Sequence, residues 1–194
     1  MRLFTGIALP PHVLDNIERL LGELRPLARL NWTPLENLHI TSKFIGEWPE
    51  QKLAELERAL GRLPAPGNIR IAVARFGFFP NPHHPRVLFA GVQAGPALGD
   101  LARSIDEAVL PLGCAREERP YSPHLTLAKI NQAKIKNENI RDLREHIASM
   151  TNPDFGSFDA VDFHLYLSKP GARGSVYSKL ASYSLAGAPA VSRT

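Results

Sequence analysis

Two short segments with the same pattern, one in each half of the chain, constrain the fold most. They read LHITSKFI at 38–45 and PHLTLAKI at 123–130. In each, apolar residues alternate with a histidine and a threonine, which is the period of a strand with one polar and one apolar face. His39 and Thr41 therefore share one face of the first predicted strand, and His124 and Thr126 share one face of the second. The repetition indicates two similar halves.

The remaining segments predict an α+β fold. Amphipathic spacing predicts about four main helices, at 11–24, 49–63, 95–110 and 137–150. Further strands are predicted at 2–9, 68–79, 85–93, 158–168 and 175–185. Because strands and helices do not alternate regularly, we expect mostly antiparallel sheets rather than a doubly wound parallel sheet. A chain of 194 residues that is 44% hydrophobic can bury the core of one domain.

Composition limits the function classes only loosely. The net charge of +4 gives a mild bias toward anionic partners, but basic residues are spread along the chain, as on an ordinary solvated surface. The single cysteine, Cys114, excludes an intramolecular disulfide and predicts a reducing, cytoplasmic compartment, with the thiol acting as an apolar filler. The N-terminal apolar run is interrupted by Pro10 and Pro11, so neither a signal peptide nor a membrane span is expected.

Two histidines and two hydroxyl groups on cleft-lining strands are suited to in-line attack on a phosphodiester. One neutral imidazole accepts a proton from the attacking water, and one imidazolium donates a proton to the leaving oxygen. Small hydroxyl donors bind the nonbridging oxygens as their charge changes. This scheme needs no metal. A single histidine would more often be structural, but the matched pair of strands favours catalysis.

The chain resembles a known family, the two-histidine (2H) phosphoesterases, and within it the RNA 2′,3′-cyclic phosphodiesterases first named 2′-5′ RNA ligases. The signatures are two H-x-T-x motifs, HITS at 39–42 and HLTL at 124–127. The surrounding segments FGFFP, PRVLFAGV, ERPYSPHLTLAK and LYLSKPGARGSVYSKLASYSL are also similar to that subfamily, in the same order. The resemblance therefore extends along the whole chain.

This resemblance implies a single domain over residues 1–194, made of two intertwined lobes related by a pseudo-twofold axis around a central cleft. The implied reaction is hydrolysis of an RNA 2′,3′-cyclic phosphate end to a 2′-phosphate, with reversible 2′-5′ ligation of tRNA halves. By the family pattern His39 is the proton donor, His124 the proton acceptor, and Thr41 and Thr126 bind phosphate. No cofactor and no metal are implied, and a monomer is expected. Spacing alone does not distinguish donor from acceptor.

Two positions depart from the family pattern. The fourth position of the first motif is usually apolar, but here it is Ser42. Strand parity turns Ser42 away from the cleft, so its effect is expected on packing rather than on catalysis. Lys129 stands where the subfamily often has arginine. Lysine offers the phosphate a point charge, whereas arginine would offer a bidentate pair of donors. Weaker contact with the oxyanion is the expected consequence.

Further residues are candidates for substrate binding. Lys43 shares the parity of Thr41, so it either faces the cleft or is an ordinary exposed sheet lysine. Lys129 has the wrong parity unless its strand bulges or ends, and its candidacy rests on the resemblance. Arg119 and Tyr121 precede the second motif and are candidates for phosphate contact and base stacking. Phe79 is a further stacking candidate, as is Trp32, although aromatic residues more often belong to a core.

Two other groups of polar residues leave alternatives open. His164, Tyr166 and Ser168 alternate with apolar residues on a late strand, and their polar face either lines the cleft or meets water. His83 and His84 suggest a metal site, but no carboxylate or cysteine set lies at the usual ligand spacing, which favours a solvated loop.

Two rival functions remain compatible with the sequence. One is a non-catalytic module that binds RNA ends. The other is a phosphodiesterase that acts on a small cyclic nucleotide, such as ADP-ribose 1″,2″-cyclic phosphate, or on a 2′-5′ oligoadenylate. Residue patterns predict phosphodiester chemistry by paired histidines, whereas RNA and the cyclic phosphate are implied by the resemblance alone.

Overall fold

A computed structural model describes residues 1–131, 137–151, 153–171 and 174–186. In this part of the chain the helices are α1 (Pro11–Leu24), α2 (Leu53–Gly61), α3 (Pro96–Val109) and α4 (Asn137–Ser149). The strands are β1 (Arg2–Ala8), β2 (Asn31–Trp32), β3 (His39–Glu47), β4 (Ile69–Phe79), β5 (Val87–Ala94), β6 (His124–Lys129), β7 (Asp154–Ala160), β8 (Asp162–Gly171) and β9 (Gly174–Ser184). The predicted α+β class and the four helices are confirmed.

Two predicted boundaries were wrong, and one short strand was not predicted. The segment 158–168 forms two strands on either side of Val161, because β7 pairs with β4 in one sheet whereas β8 pairs with β1 and β9 in the other. Helix α2 begins at Leu53, and the residues from Glu50 to Lys52 form a 3₁₀ turn instead. Strand β2 has only two residues, too few for any periodic pattern to reveal.

Both sheets are antiparallel and place the two motif strands at equivalent positions. The strand orders are β3-β1-β8-β9 and β2-β6-β5-β4-β7. Strand β3 pairs with β1, and β6 pairs with β5, while β2 is added outside β6. Helix α1 separates β1 from β3, and α3 separates β5 from β6. The matching order supports the duplication predicted from sequence.

The two halves are packed through exchanged helices. Helix α1 follows a strand of the first sheet but contacts β7 of the second, and α3 follows a strand of the second sheet but contacts β3 of the first. Each helix buries one apolar stripe, Val13, Ile17, Leu21 and Leu24 in α1 and Leu98, Leu101, Ile105 and Val109 in α3. These stripes belong to one continuous hydrophobic core. No helix in the described ranges is long and apolar enough to cross a membrane.

Both motif strands contain a β-bulge directly after the motif threonine. In β3, Thr41 pairs with Gly6 and Lys43 with Thr5, so the intervening Ser42 has no partner on β1. In β6, Thr126 and Ala128 pair with consecutive residues of β5, which leaves Leu127 as the extra residue. An extra residue inverts the alternation of side chains beyond it. The faces predicted by simple parity therefore hold only as far as each threonine.

The prediction that Lys43 shares the cleft face of Thr41 is wrong. The bulge turns Lys43 inward, where only 5% of the residue is exposed. Its Nζ lies 2.6 Å from Asp106 Oδ1 and donates to the carbonyl of Ala115 at 2.8 Å. Burial opposes ionisation of Asp106, but hydrogen bonds from Lys43 and from the backbone N–H of Glu117 hold its pKa below the ordinary value. The ion pair therefore joins β3 to helix α3, and the bond to Ala115 joins β3 to the loop that leads to β6.

We expect Lys43→Ala to lower the free energy of unfolding by about 3–5 kcal/mol, because it leaves the buried carboxylate of Asp106 without its partner. The matched control is Arg70→Ala, which breaks an exposed ion pair with Asp159. That change is expected to cost less than about 1 kcal/mol. Urea unfolding of the three proteins measures both values. Equal effects of the two substitutions would show that the Lys43 pair is not structural.

Candidate active site

The four motif residues line one cavity of about 260 Å³ where the two sheets meet. Its lining includes His39, Thr41, His124 and Thr126. Strands β3 and β6, which carry these residues, contact each other there. This placement agrees with the prediction that both His-x-Thr strands line one central cleft.

Both motif histidines are oriented by the same local hydrogen bond. His39 Nδ1 lies 2.7 Å from the carbonyl oxygen of Asn37, and His124 Nδ1 lies 2.8 Å from that of Ser122. A carbonyl oxygen only accepts hydrogen bonds, so each Nδ1 carries the proton and donates it. In each neutral ring Nε2 is then the unprotonated nitrogen, able to exchange a proton with a ligand. His39 Nε2 also lies 3.0 Å from Thr41 Oγ1.

Aromatic rings enclose His39. Its ring centroid is 4.6 Å from that of Phe4, 5.2 Å from that of Tyr177 and 5.8 Å from that of Tyr166. Burial lowers the pKa of His39, the hydrogen bond to Asn37 partly opposes this change, and the charge of His124 lowers the pKa further. The protein without ligand therefore favours the neutral form of His39.

His124 is half-buried and lies against a different aromatic wall. Its ring is 5.0 Å from Phe79 and 5.7 Å from Phe89, and those two phenyl rings are stacked at 4.2 Å. Phe79 is therefore close enough to a catalytic candidate to contact a substrate, as predicted for a stacking residue. Its contact with substrate stays a prediction.

A second cavity of about 780 Å³ adjoins the first and shares Thr41, Phe44 and His124 with it. It is also lined by Phe79, Arg86, Arg119 and Tyr121. Arg119 is exposed there, which leaves its predicted phosphate contact open as a prediction.

Tyr121 lies at the same cavity, but its hydroxyl group has a structural partner. The hydroxyl donates to the carbonyl of Thr41 at 2.9 Å. Tyr121, three positions before the histidine of the second motif, therefore holds the backbone of the first motif. Base stacking on the exposed part of the Tyr121 ring stays a prediction.

Sequence reasoning missed Phe44. This side chain is 62% exposed and lines both cavities. Simple alternation assigns it to the face opposite Thr41, and nothing in the local sequence reveals the bulge at Ser42. Lys129 follows the equivalent bulge and lines the histidine cavity, so the bulge that its candidacy required is present. Trp32, in contrast, packs against the core and donates its indole N–H to the carbonyl of Ala28.

The polar face of β8 is divided between the cleft and a buried cluster. Ser168 lines the histidine cavity, and Tyr166 is buried against Phe4 with ring centroids 4.9 Å apart. His164 is buried, with Nδ1 2.9 Å from Ser182 Oγ and Nε2 3.1 Å from Asp162 Oδ1. Only the outer end of this face therefore belongs to the cleft.

The remaining histidine and cysteine candidates lie elsewhere. His83 and His84 are exposed, and their backbone N–H groups donate to Asn81 Oδ1. Among the residues that the structure describes, no three His, Cys, Asp or Glu side chains are grouped closely enough to hold a metal ion. Cys114 is buried, as predicted for an apolar filler, and burial raises the pKa of its thiol.

We expect Gly6→Ala to destabilise the protein and displace His39. A Cβ at Gly6 would lie 2.8 Å from the carbonyl oxygen of Ile40 and 3.3 Å from Cδ2 of His39. Forcing such a contact costs about 1–3 kcal/mol. Gly22→Ala is the control, because a Cβ there meets nothing within 4 Å and should stabilise helix α1 by up to about 1 kcal/mol. Urea unfolding measures the stability of both variants, and the chemical shifts of the His39 ring report its displacement. A Gly6→Ala protein with wild-type stability and wild-type His39 shifts would contradict the expectation.

Sequence and structure comparisons place this chain among known proteins. Residues 7–89 match the sequence model of the family described as LigT-like phosphoesterases. The RNA 2′,3′-cyclic phosphodiesterase of Archaeoglobus fulgidus is 32% identical over 93% of this chain and 98% of the relative. The protein of the same name from Methanocaldococcus jannaschii is 33% identical over 91% of this chain and 96% of the relative.

Solved structures share the fold. A crystal structure of a Thermus thermophilus protein superposes with a TM-score of 0.77 and 28% identity, covering 96% of this chain and 99% of that one. The apo form of LigT from E. coli gives a TM-score of 0.75 over 96% of this chain and 98% of that one, with 24% identity. The likeness to each archaeal relative spans more than nine-tenths of this chain, and the chain belongs to the LigT-like phosphoesterase family, within the two-histidine superfamily that its motifs resemble.

Proposed function

We propose that this protein hydrolyses the 2′,3′-cyclic phosphate at an RNA end to a 2′-phosphate. One observation carries the proposal: His39 and His124 have the same Nδ1 hydrogen bond and line one cavity with Thr41 and Thr126. The names of the archaeal relatives, RNA 2′,3′-cyclic phosphodiesterases, support the substrate class.

The hydrolysis follows from the roles that the family pattern gives to the two histidines. Nε2 of His124 accepts a proton from water as the water oxygen attacks phosphorus. The bond between phosphorus and O3′ breaks, and His39 donates the proton that O3′ requires, so the phosphate stays on O2′. The hydroxyl groups of Thr41 and Thr126 donate to the nonbridging oxygens, and the ammonium group of Lys129 adds positive charge at the same cavity.

Substrate binding supplies the protonation state that this mechanism needs. A proton donor must start charged, yet burial lowers the pKa of His39 in the protein without ligand. The negative charge of a bound phosphodiester beside the imidazole favours the imidazolium form and raises its pKa again. We therefore infer that His39 takes up its proton as the substrate binds.

The same cavity supports ligation. If the 5′-hydroxyl of a second RNA replaces water, the same steps produce a 2′-5′ linkage, and paired tRNA halves would provide both ends. Both histidines come from one chain, so a monomer is sufficient. An RNA substrate and a single buried thiol agree with the cytoplasmic compartment predicted from sequence.

The rival functions give different outcomes in one assay, hydrolysis of a short RNA that ends in a 2′,3′-cyclic phosphate, with EDTA present. We expect a 2′-phosphate product and a rate that falls about 10²- to 10⁴-fold in His39→Ala and in His124→Ala. His83→Ala is the control, since it removes an exposed histidine of the 80–85 loop. Binding without turnover would indicate the non-catalytic module, and a 3′-phosphate product would contradict the assigned leaving group.

Proton uptake on binding is tested by NMR titration of the imidazole rings. We expect the pKa of His39 to lie below about 6.5 in the free protein and to rise when adenosine 2′-phosphate is bound. Below its pKa His39 is charged, so binding should extend the charged form to higher pH. The signal of His83 should not respond to the nucleotide. If the His39 pKa stayed constant or fell on binding, the donor role would lose its support.

A further inference from the structure

The two halves of the cleft differ at one pair of equivalent positions. Phe44 is the second residue after the bulge in β3, and Lys129 is the second residue after the bulge in β6. Both line the histidine cavity. One motif strand therefore presents an aromatic ring beside the phosphate site, and the other presents a cation. This difference distinguishes the two sides of a site whose histidines and threonines are otherwise matched.

The side of Phe44 opens into the second cavity, here called the aromatic groove and defined by Phe44, Phe79, Arg86, Arg119 and Tyr121. Three of these five residues are aromatic. The groove also contains Glu117, and its Lys43 is already neutralised by Asp106. Aromatic platforms combined with cations that follow a backbone are how proteins bind single-stranded nucleic acid.

The other side of the histidine cavity opens into a third cavity of different character, about 1000 Å³ in volume. The two cavities share Arg2, Ser168 and Ser175. Among the residues that the structure describes, the lining of this third cavity contains no aromatic residue, and two side-chain cations, Arg2 and Lys169, are matched by Glu47 and Glu50. A base within the third cavity would have none of these described residues to stack on as an aromatic platform.

We propose that the RNA strand leaves the histidine pair through the aromatic groove. The base of the nucleotide that carries the cyclic phosphate stacks on Phe44, whose ring is 62% exposed. Arg86 and Arg119, both exposed, contact the phosphates on its 5′ side. This inference rests on the proposed function and makes the substrate an RNA strand rather than a single cyclic nucleotide.

The test compares adenosine 2′,3′-cyclic phosphate with a five-nucleotide RNA that ends in the same group. We expect the wild type to prefer the longer substrate. The double substitution Arg86→Gln and Arg119→Gln should raise KM for the RNA at least tenfold at low salt. KM for the mononucleotide should stay within twofold of the wild-type value. Phe44→Ala should lower kcat/KM for both substrates at least fivefold, because both contain the terminal base. Lys169→Gln, at the far side of the cleft, is the control and should change neither.

Two outcomes would overturn the proposal. If Lys169→Gln raised KM for the RNA substrate while the arginine double variant did not, the strand would leave through the third cavity. Equal kcat/KM of the wild type for both substrates would show that the strand is not held. Fluorescence anisotropy with a labelled five-nucleotide RNA ending in a 2′-phosphate reads the groove without turnover. Loss of binding in the arginine variant would then support the groove even if the wild type hydrolysed no RNA. Absence of hydrolysis would contradict only the proposed function.

Discussion

The bulge at Ser42 and the ion pair between Lys43 and Asp106 depend on each other, and the cleft depends on both. A regular strand would point Lys43 into the cleft and Phe44 toward the core. The extra residue reverses this, which places an ammonium group in the interior at a cost that only a hydrogen-bonded partner offsets. Asp106 is that partner, and it also accepts from the backbone of Glu117. One buried contact thus fixes the face of the first motif and the approach to the second.

The matched halves provide two histidines in the same orientation but in different surroundings. The carbonyl two residues before each histidine selects the same tautomer in both motifs. His39 is enclosed by Phe4, Tyr166 and Tyr177, whereas His124 is half-buried at the mouth of the aromatic groove. Duplication therefore accounts for the shared geometry, and unequal burial makes the two imidazoles chemically different, since burial lowers the pKa of His39.

The sequence predicted the parts of the site that depend on local periodicity. Residues two positions apart on a strand are related by local geometry alone. The prediction that His39 shares a face with Thr41, and His124 with Thr126, therefore agrees with the structure. Lys43 was assigned to the wrong face and Phe44 was missed because a bulge is set by the register of the partner strand. The break at Val161 was missed for a similar reason, since a single residue separates two strands of different sheets. Lys129 was a candidate only through the family resemblance.

The hydrogen bond from Tyr121 to Thr41 connects the two motifs under all conditions in which the histidines titrate. Burial raises the pKa of Tyr121 well above its ordinary value, so the phenol keeps its proton and remains a donor. The hydrogen bond from Lys43 to the carbonyl of Ala115 and the hydroxyl of Tyr121 therefore hold β3 to the same loop, while Asp106 ties Lys43 to helix α3. Because the lowered pKa of Asp106 keeps its carboxylate charged and the raised pKa of Tyr121 keeps its phenol protonated near neutral pH, a change of rate with pH in this range reports on the histidines and not on the frame that positions them.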